Sequence, residues 1–293
     1  MTAVILRRKK LGKGSTNGVA NVSTTGIKVV RNWVPEDWPD FSGQEDPKTV
    51  FRWGCTSTIT GMGFEIVNSS KSIHWCSDKR QGRLDMQAAG VPVPETWGVW
   101  DQVRSDVGKV VFRPATHAQG RNLFVLDQSD FLMANFEVVN RLIRQFPSYY
   151  ISKLIDKVAE YRVMVVQNRV AWVAKKTPGN PEDVAWNVAR GGRFDNVKWG
   201  EWHLSVIHAA LAAAKVSGCD FCGVDVMVDS RGRPYVLEVN SAPSQTSPYR
   251  QQCLAKCFDY IVENGKDPFD DNVIGSWKDA IHPMVWSKSN GRT

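Results

Sequence analysis

The stretch Gly223–Pro243, G-V-D-V-M-V-D-S-R-G-R-P-Y-V-L-E-V-N-S-A-P, decides the fold. Val224, Val226 and Val228 alternate with Asp225, Met227 and Asp229. Beyond a turn signal at residues 230–234, Tyr235, Leu237 and Val239 alternate with Val236, Glu238 and Asn240. Period-two alternation on both sides of a turn predicts a β-hairpin. With Arg231 and Gly232 at the tip, Asp225 falls opposite Glu238 and Gly223 opposite Asn240. One face is then apolar. The other carries two carboxylates and an amide oxygen, with Gly223 leaving room beside them. Like charges facing each other across a ladder are unfavourable unless a cation lies between them. Hard oxygen donors on a rigid surface suit Mg²⁺ holding phosphates, so Asp225, Glu238 and Asn240 are candidate metal ligands. A merely solvated face would be expected to carry Lys, Thr or Ser instead of E-V-N-S-A-P.

The chain around this hairpin has 293 residues, 42% of them hydrophobic and 23% charged, as expected of a soluble globular protein. No apolar run approaches the roughly 20 residues of a membrane helix. The opening M-T-A-V-I-L-R-R-K-K places its charges after a short apolar run, the reverse of a secretory signal, which predicts a cytoplasmic location. Net charge is +7, and Arg7, Arg8, Lys9, Lys10 and Lys13 supply five of the positive charges. This basic end is the one place the sequence offers nucleic acid, which is otherwise not expected as a partner. Six cysteines are scattered. Cys219 and Cys222 form a C-x-x-C where a helix gives way to a strand, the wrong place for a redox motif, so reduced thiols are expected. A zinc site that adds Cys253 and Cys257 is the minor alternative.

Along the chain, G-K-G-S-T at residues 12–16 resembles a phosphate loop, but it lacks the spacing and no clear strand precedes it. Short apolar runs at 27–30, 49–53, 63–68 and 72–75 suggest the strands of a small α/β unit. Ser77 or Asp78 caps a helix that stops at Gly90, and V-P-V-P-E-T-W from Val91 must be extended. Lys109–Pro114 is a strand that returns through a polar tip, residues 116–122, to a second strand near residues 123–126. A helix over residues 130–144 follows, then a crossover strand at 149–155 and strands at 160–166 and 169–176. An Ala-rich helix over 205–216 ends at Gly218, and a last helix covers about 253–264.

The order of these parts resembles the ATP-grasp superfamily, in particular the branch with RimK-type glutamate ligases and D-alanine–D-alanine ligases. The resemblance spans residues 73–247 and rests on the D-K helix, V-P-V-P-E-T, the strand with Arg113, the Gly120 loop, paired lysines, N-x-x-R-G-G and the D…E-x-N hairpin. The basic compact form also resembles ATP-grasp proteins of bacteriophages, which would place the chain in the host cytoplasm. The resemblance implies an α+β fold of two subdomains gripping ATP behind a small α/β unit. The implied divisions are residues 1–76, 77–154, 155–265 and a tail, 266–293.

Carried over by position, the resemblance implies that Asp225, Glu238 and Asn240 hold Mg²⁺ or Mn²⁺, with Glu238 bridging two ions. Lys153, Leu154 and Ile155 form the hinge whose backbone meets adenine, and Glu160 takes the ribose hydroxyls. Thr116, His117, Gln119 and Gly120 belong to the loop that closes over the triphosphate. Asn187, Arg190, Gly191 and Gly192 lie near the γ-phosphate and acceptor. Arg162 stands where RimK-type ligases carry Arg, and Lys175 or Lys176 faces the phosphates. Arg113 replaces the usual Lys, keeping the charge and adding bidentate reach. The implied reaction is ATP-dependent amide formation between a carboxylate and an amine through an acylphosphate, on an amino acid, peptide or protein tail. Two other readings share these residues: a small-molecule kinase of the same fold, and a non-catalytic nucleotide- or nucleic-acid-binding protein.

Overall fold

The computed structural model describes residues 3–8, 12–31, 49–59, 64–116, 122–127, 134–186, 191–266 and 275–277. The first sheet is parallel: β1 (Ala3–Arg7), β2 (Lys28–Arg31), β3 (Thr49–Trp53) and β4 (Glu65–Val67), in the order β2-β1-β3-β4. Every residue of β1 and of β3 is buried, the mark of strands covered on both faces. Two expectations change here. A strand does precede the G-K-G-S-T segment, and α1 (Lys13–Val22) begins within it, although the phosphate-loop spacing is still lacking. Residues 72–75 are not a strand but lie in α2 (Ser70–Ser77), because the Ser69 side chain accepts the Ser72 N–H and starts a helix.

Asp78 caps α3 (Lys79–Ala88) by accepting the Gln81 N–H. The chain then runs extended into β5 (Thr96–Trp97) and a second, antiparallel sheet with β6 (Lys109–Pro114), β7 (Phe124–Asp127) and β8 (Tyr149–Lys153), in the order β5-β8-β6-β7. Helix α4 (Ala134–Gln145) completes this layer, with Val139 and Leu142 in its core.

The third sheet carries β9 (Lys157–Val166), β10 (Arg169–Thr177), β11 (Arg193–Val197), β12 (Phe221–Asp229) and β13 (Pro234–Asn240), antiparallel in the order β11-β10-β9-β12-β13. Its Val163, Val165, Val173, Val224 and Val226 pack on α5 (Leu204–Ser217), whose Ala-rich face lets helix and sheet approach closely. Gly218 ends α5 in the left-handed conformation, as expected. The other face packs Met164, Trp172 and Phe221 against α6 (Pro248–Asn264) and the first sheet. Helix α6 starts five residues earlier than expected, with Pro248 in its first turn, where a missing N–H costs nothing. Strand β11 went unseen in the sequence. So did the tail contact: β14 (Gly275–Ser276) pairs with β10, and buried Trp277 donates to the Val166 carbonyl at 2.9 Å.

The deciding hairpin keeps the expected pairs, Asp225 with Glu238 and Gly223 with Asn240. Its turn differs. Asp229 N–H bonds the Arg233 carbonyl, so three residues, Ser230–Gly232, close the loop and Gly232 takes φ +77°. This shifts the register by one, and Val226 pairs with Val236. A bulge at Leu237 restores it before Glu238.

Candidate active site

A cavity of about 980 Å³ lies where the second and third sheets meet, and Arg8 and Gly54, the residues that follow β1 and β3, also line it. Strand alternation explains its polar floor. Glu160 and Arg162 are two apart on β9, Lys176 lies on β10, Asp225 on β12, and Glu238 and Asn240 on β13, all lining the same cavity. The hairpin residues thus meet the β9 and β10 residues that the sequence placed in the site.

The floor is a network of paired charges. Arg162 grips Asp225 with two hydrogen bonds, at 2.7 and 2.9 Å, and Lys176 reaches the same carboxylate at 2.7 Å. Lys176 also bonds Glu160, whose second oxygen accepts from Lys157 at 2.5 Å. Lys79, the first residue of α3, bonds Glu238. Phe194 on β11 lies under both cations, its ring 5.0 Å from the Arg162 guanidinium carbon and 5.6 Å from the Lys176 ammonium. Burial raises the Asp225 pKa, but Arg162 and Lys176 outweigh it and hold the carboxyl well below the usual range. Burial also raises Glu238, and Lys79 outweighs it, drawing the group down to about 2. Both groups are therefore carboxylates at neutral pH.

The expected residues are placed unequally. Arg113 on β6, Thr116, Lys153, Leu154 and Ile155 all line the cavity. In the segment expected to be the hinge, Lys153 N–H bonds the Glu95 carbonyl and Leu154 N–H the Lys109 carbonyl, so two of its three amides are held inside the protein. The paired lysines separate: Lys176 is buried in the network, while Lys175 is exposed and absent from the cavity wall, because neighbours on a strand point to opposite faces. Arg162 pairs with Asp225, while Glu160, two residues away on β9, pairs with Lys157 and Lys176. Beside Gly223 the room is already taken: a Cβ there would come within 2.8 Å of Pro243 Cβ. His117, Gln119, Gly120, Asn187 and Arg190 lie outside the described residues.

Sequence reasoning missed Lys79, Arg83, Lys157, Trp186 and Phe194 in the wall. The D-K start of α3 was visible, but its contact with β13 is a tertiary one that no local pattern reports. The cysteine expectation also resolves. Cys219 and Cys222 pack on the α5 side of the third sheet, Cys253 and Cys257 on the α6 side, so the four do not meet. Cys76 instead lies against Cys219, with sulfurs 3.5 Å apart.

The donor set fits a hard divalent cation. Two carboxylates and the Asn240 amide oxygen leave coordination positions for phosphate oxygens, the usual arrangement for Mg²⁺ on a nucleotide. Among the described residues no cluster of three or more His, Cys, Asp or Glu could enclose an ion by itself.

The chain is similar to known proteins in sequence and in fold. A model of the RimK-like ATP-grasp domain matches residues 101–254. A Vibrio vulnificus (strain YJ016) protein named "Probable alpha-L-glutamate ligase" is 27% identical over 250 residues, covering 77% of this chain and 80% of that protein. A Teredinibacter turnerae protein of the same name is 29% identical over 229 residues, covering 69% and 72%. Among solved structures, D-alanine–D-alanine ligase from Bacillus anthracis superposes with a TM-score of 0.62 at 18% identity, covering 90% of this chain and 96% of that one. The ATP-grasp ligase PsnB, in a complex that contains Mg and ADP, gives 0.61 at 16% identity, covering 90% and 99%. The chain belongs to the RimK-like ATP-grasp family, ATP-dependent ligases that form C–N bonds.

Proposed function

We propose that this chain joins a substrate carboxylate to an amine on an amino acid, a peptide or a protein tail, releasing ADP and phosphate. The observation that carries this reading is the opposition of Asp225 and Glu238 on the cavity floor, each held ionised by neighbouring cations. When bound, Mg²⁺-ATP supplies the phosphoryl group that activates the carboxylate as an acylphosphate, and the divalent cation neutralises phosphate charge. Asp225, Glu238 and Asn240 are the residues to hold that cation. Arg162 and Lys176 pair with Asp225. With a cation bound at Asp225, Arg162 and Lys176 would be available to anionic oxygens of the nucleotide and would keep positive charge on the floor. Glu160 is the candidate for the ribose hydroxyls, with Lys157 and Lys176 as its present partners. Arg113 is a further cation in the same wall. An acylphosphate hydrolyses easily, so the cavity must exclude water while the amine attacks. Thr116, His117, Gln119 and Gly120 are proposed as the closing loop, and Asn187 and Arg190 as contacts near the acceptor. The neutral substrate amine must lose a proton as the C–N bond forms, and phosphate leaves with the electron pair of the broken C–O bond.

No helix among the described residues is long and apolar enough to cross a membrane. A cytoplasmic setting with small-molecule or peptide substrates fits the family named above.

The test is ADP release with Mg²⁺-ATP across pools of amino acids and short peptides. The expected result is release that requires both a carboxylate and an amine and is lost in Glu238→Ala. Full release with a single substrate and no amine, with a phosphorylated product, would replace the ligase reading with a kinase.

A further inference from the structure

Strand β13 closes one edge of the third sheet, and its register changes along its length. Toward the turn Val226 pairs with Val236, while toward the cavity Asp225 pairs with Glu238, so Leu237 is the additional residue. A slip of one residue sends side chains to the opposite face. If the register at the turn continued without the bulge, Val224 would stand opposite Glu238. Val224 lies in the core beneath α5, so Glu238 would face that core and not the cavity.

Two contacts hold the bulge from outside the β12–β13 ladder. The Val236 N–H donates to the Pro92 carbonyl at 2.7 Å, and the Leu237 carbonyl accepts from Arg83 Nε at 2.6 Å. Arg83 is 4% exposed, and burial lowers its pKa, so its charge is kept there against a desolvation cost. It lies one helical turn beyond Lys79 on α3. The same helix therefore sets one cation on the Glu238 carboxylate and another on the carbonyl just before it.

We propose that Arg83 is a positioning residue: by bonding the Leu237 carbonyl it holds the bulge that turns Glu238 into the cavity, and so sets the affinity of a divalent-cation site that it does not touch. The inference rests on the cation role proposed above for Asp225 and Glu238. Bulges near active sites re-aim side chains in this way, and residues that orient ligands from behind change metal affinity by about 10- to 100-fold.

The experiment is Mn²⁺ binding in the presence of a non-hydrolysable ATP analogue, read from the electron paramagnetic resonance signal of the free ion. Wild type, Arg83→Met, Arg83→Lys and Glu238→Gln are compared. Arg83→Met is expected to weaken Mn²⁺ binding about 10- to 100-fold. Arg83→Lys, which keeps a cationic donor, is expected to recover part of the loss. In turnover, the metal concentration for half-maximal rate rises in Arg83→Met, and rises less in Arg83→Lys. Wild-type affinity in Arg83→Met, beside lost affinity in Glu238→Gln, overturns the role of Arg83. Wild-type affinity in Glu238→Gln overturns the cation role of the hairpin instead. Should Arg83→Met fail to fold, Arg83→Leu, which likewise has no donor, takes its place against the same two outcomes.

Discussion

Arg162 and Asp225 stand directly opposite each other across β9 and β12, joined by a fork of two hydrogen bonds at 2.7 and 2.9 Å. Both side chains are largely buried, at 11% and 6% exposure. A buried fork of this kind derives its value from being complete, since removing one partner leaves the other charged and desolvated. Asp225→Ala strands Arg162 and leaves Lys176 with Glu160 alone of its two carboxylate partners. Its stability in urea denaturation is expected to fall by about 3 kcal/mol or more. A loss below about 1 kcal/mol, the size of an exposed pair, would show that the fork is open to water in solution.

The depressed carboxylates give stability a definite pH dependence. Glu238 is drawn from its ordinary 4.5 to about 2, chiefly by Lys79 acting against burial, and Asp225 is lowered by Arg162 and Lys176. A group whose folded pKa lies below its unfolded value binds fewer protons when folded. Its contribution is complete above the unfolded pKa and is lost as pH falls through the folded one. The melting temperature is expected to fall between pH 4.5 and 2 on account of Glu238, with a shallower decline in Glu238→Gln. Superimposable profiles for the two proteins would mean that Lys79 and Glu238 do not pair in solution.

The two adjacent lysines have opposite surroundings, and their variants should differ accordingly. Lys175 is exposed, so Lys175→Ala is expected to change stability by no more than about 0.5 kcal/mol and to leave the KM for ATP unchanged. Lys176 bonds both Glu160 and Asp225. Hydrogen bonds to charged groups contribute about 1.5–3 kcal/mol, so Lys176→Met is expected to raise the KM for ATP about tenfold or more. Steady-state kinetics of the two variants decides between this assignment and its reverse.

Much of the fold was legible because the third sheet obeys simple alternation. The pairs Asp225–Glu238 and Gly223–Asn240 followed from period two and a turn signal. They survived a turn of three residues only because the bulge at Leu237 cancels the shift, and a bulge leaves no mark in a hydrophobic pattern. Strand β1 was hidden by the basic residues that follow its short apolar run, and α2 by an apolar pair within eight residues whose helical start depends on one Ser69 hydrogen bond. In the site, the choice of Lys176 over Lys175 needed the strand's phase, which the sequence left open. Lys79 and Arg83 reach the hairpin from a helix more than 150 residues earlier, and such contacts are fixed by packing, not by local spacing. Lys153, Leu154 and Ile155 line the cavity, but the use of two of their amides by Glu95 and Lys109 depends on the second sheet's pairing.

The Asp225–Glu238 hairpin is proposed to bind a divalent cation together with ATP. The most direct measurement is the shift in melting temperature with saturating Mg²⁺-ATP, for wild type and Glu238→Ala side by side. A ligand that binds only the folded state stabilises it by RT ln(1 + [L]/Kd), about 2.7 kcal/mol at a hundredfold excess over Kd. A clear rise is expected in wild type and none in the variant. An equal rise in both proteins, or no rise in either, would contradict the proposed binding.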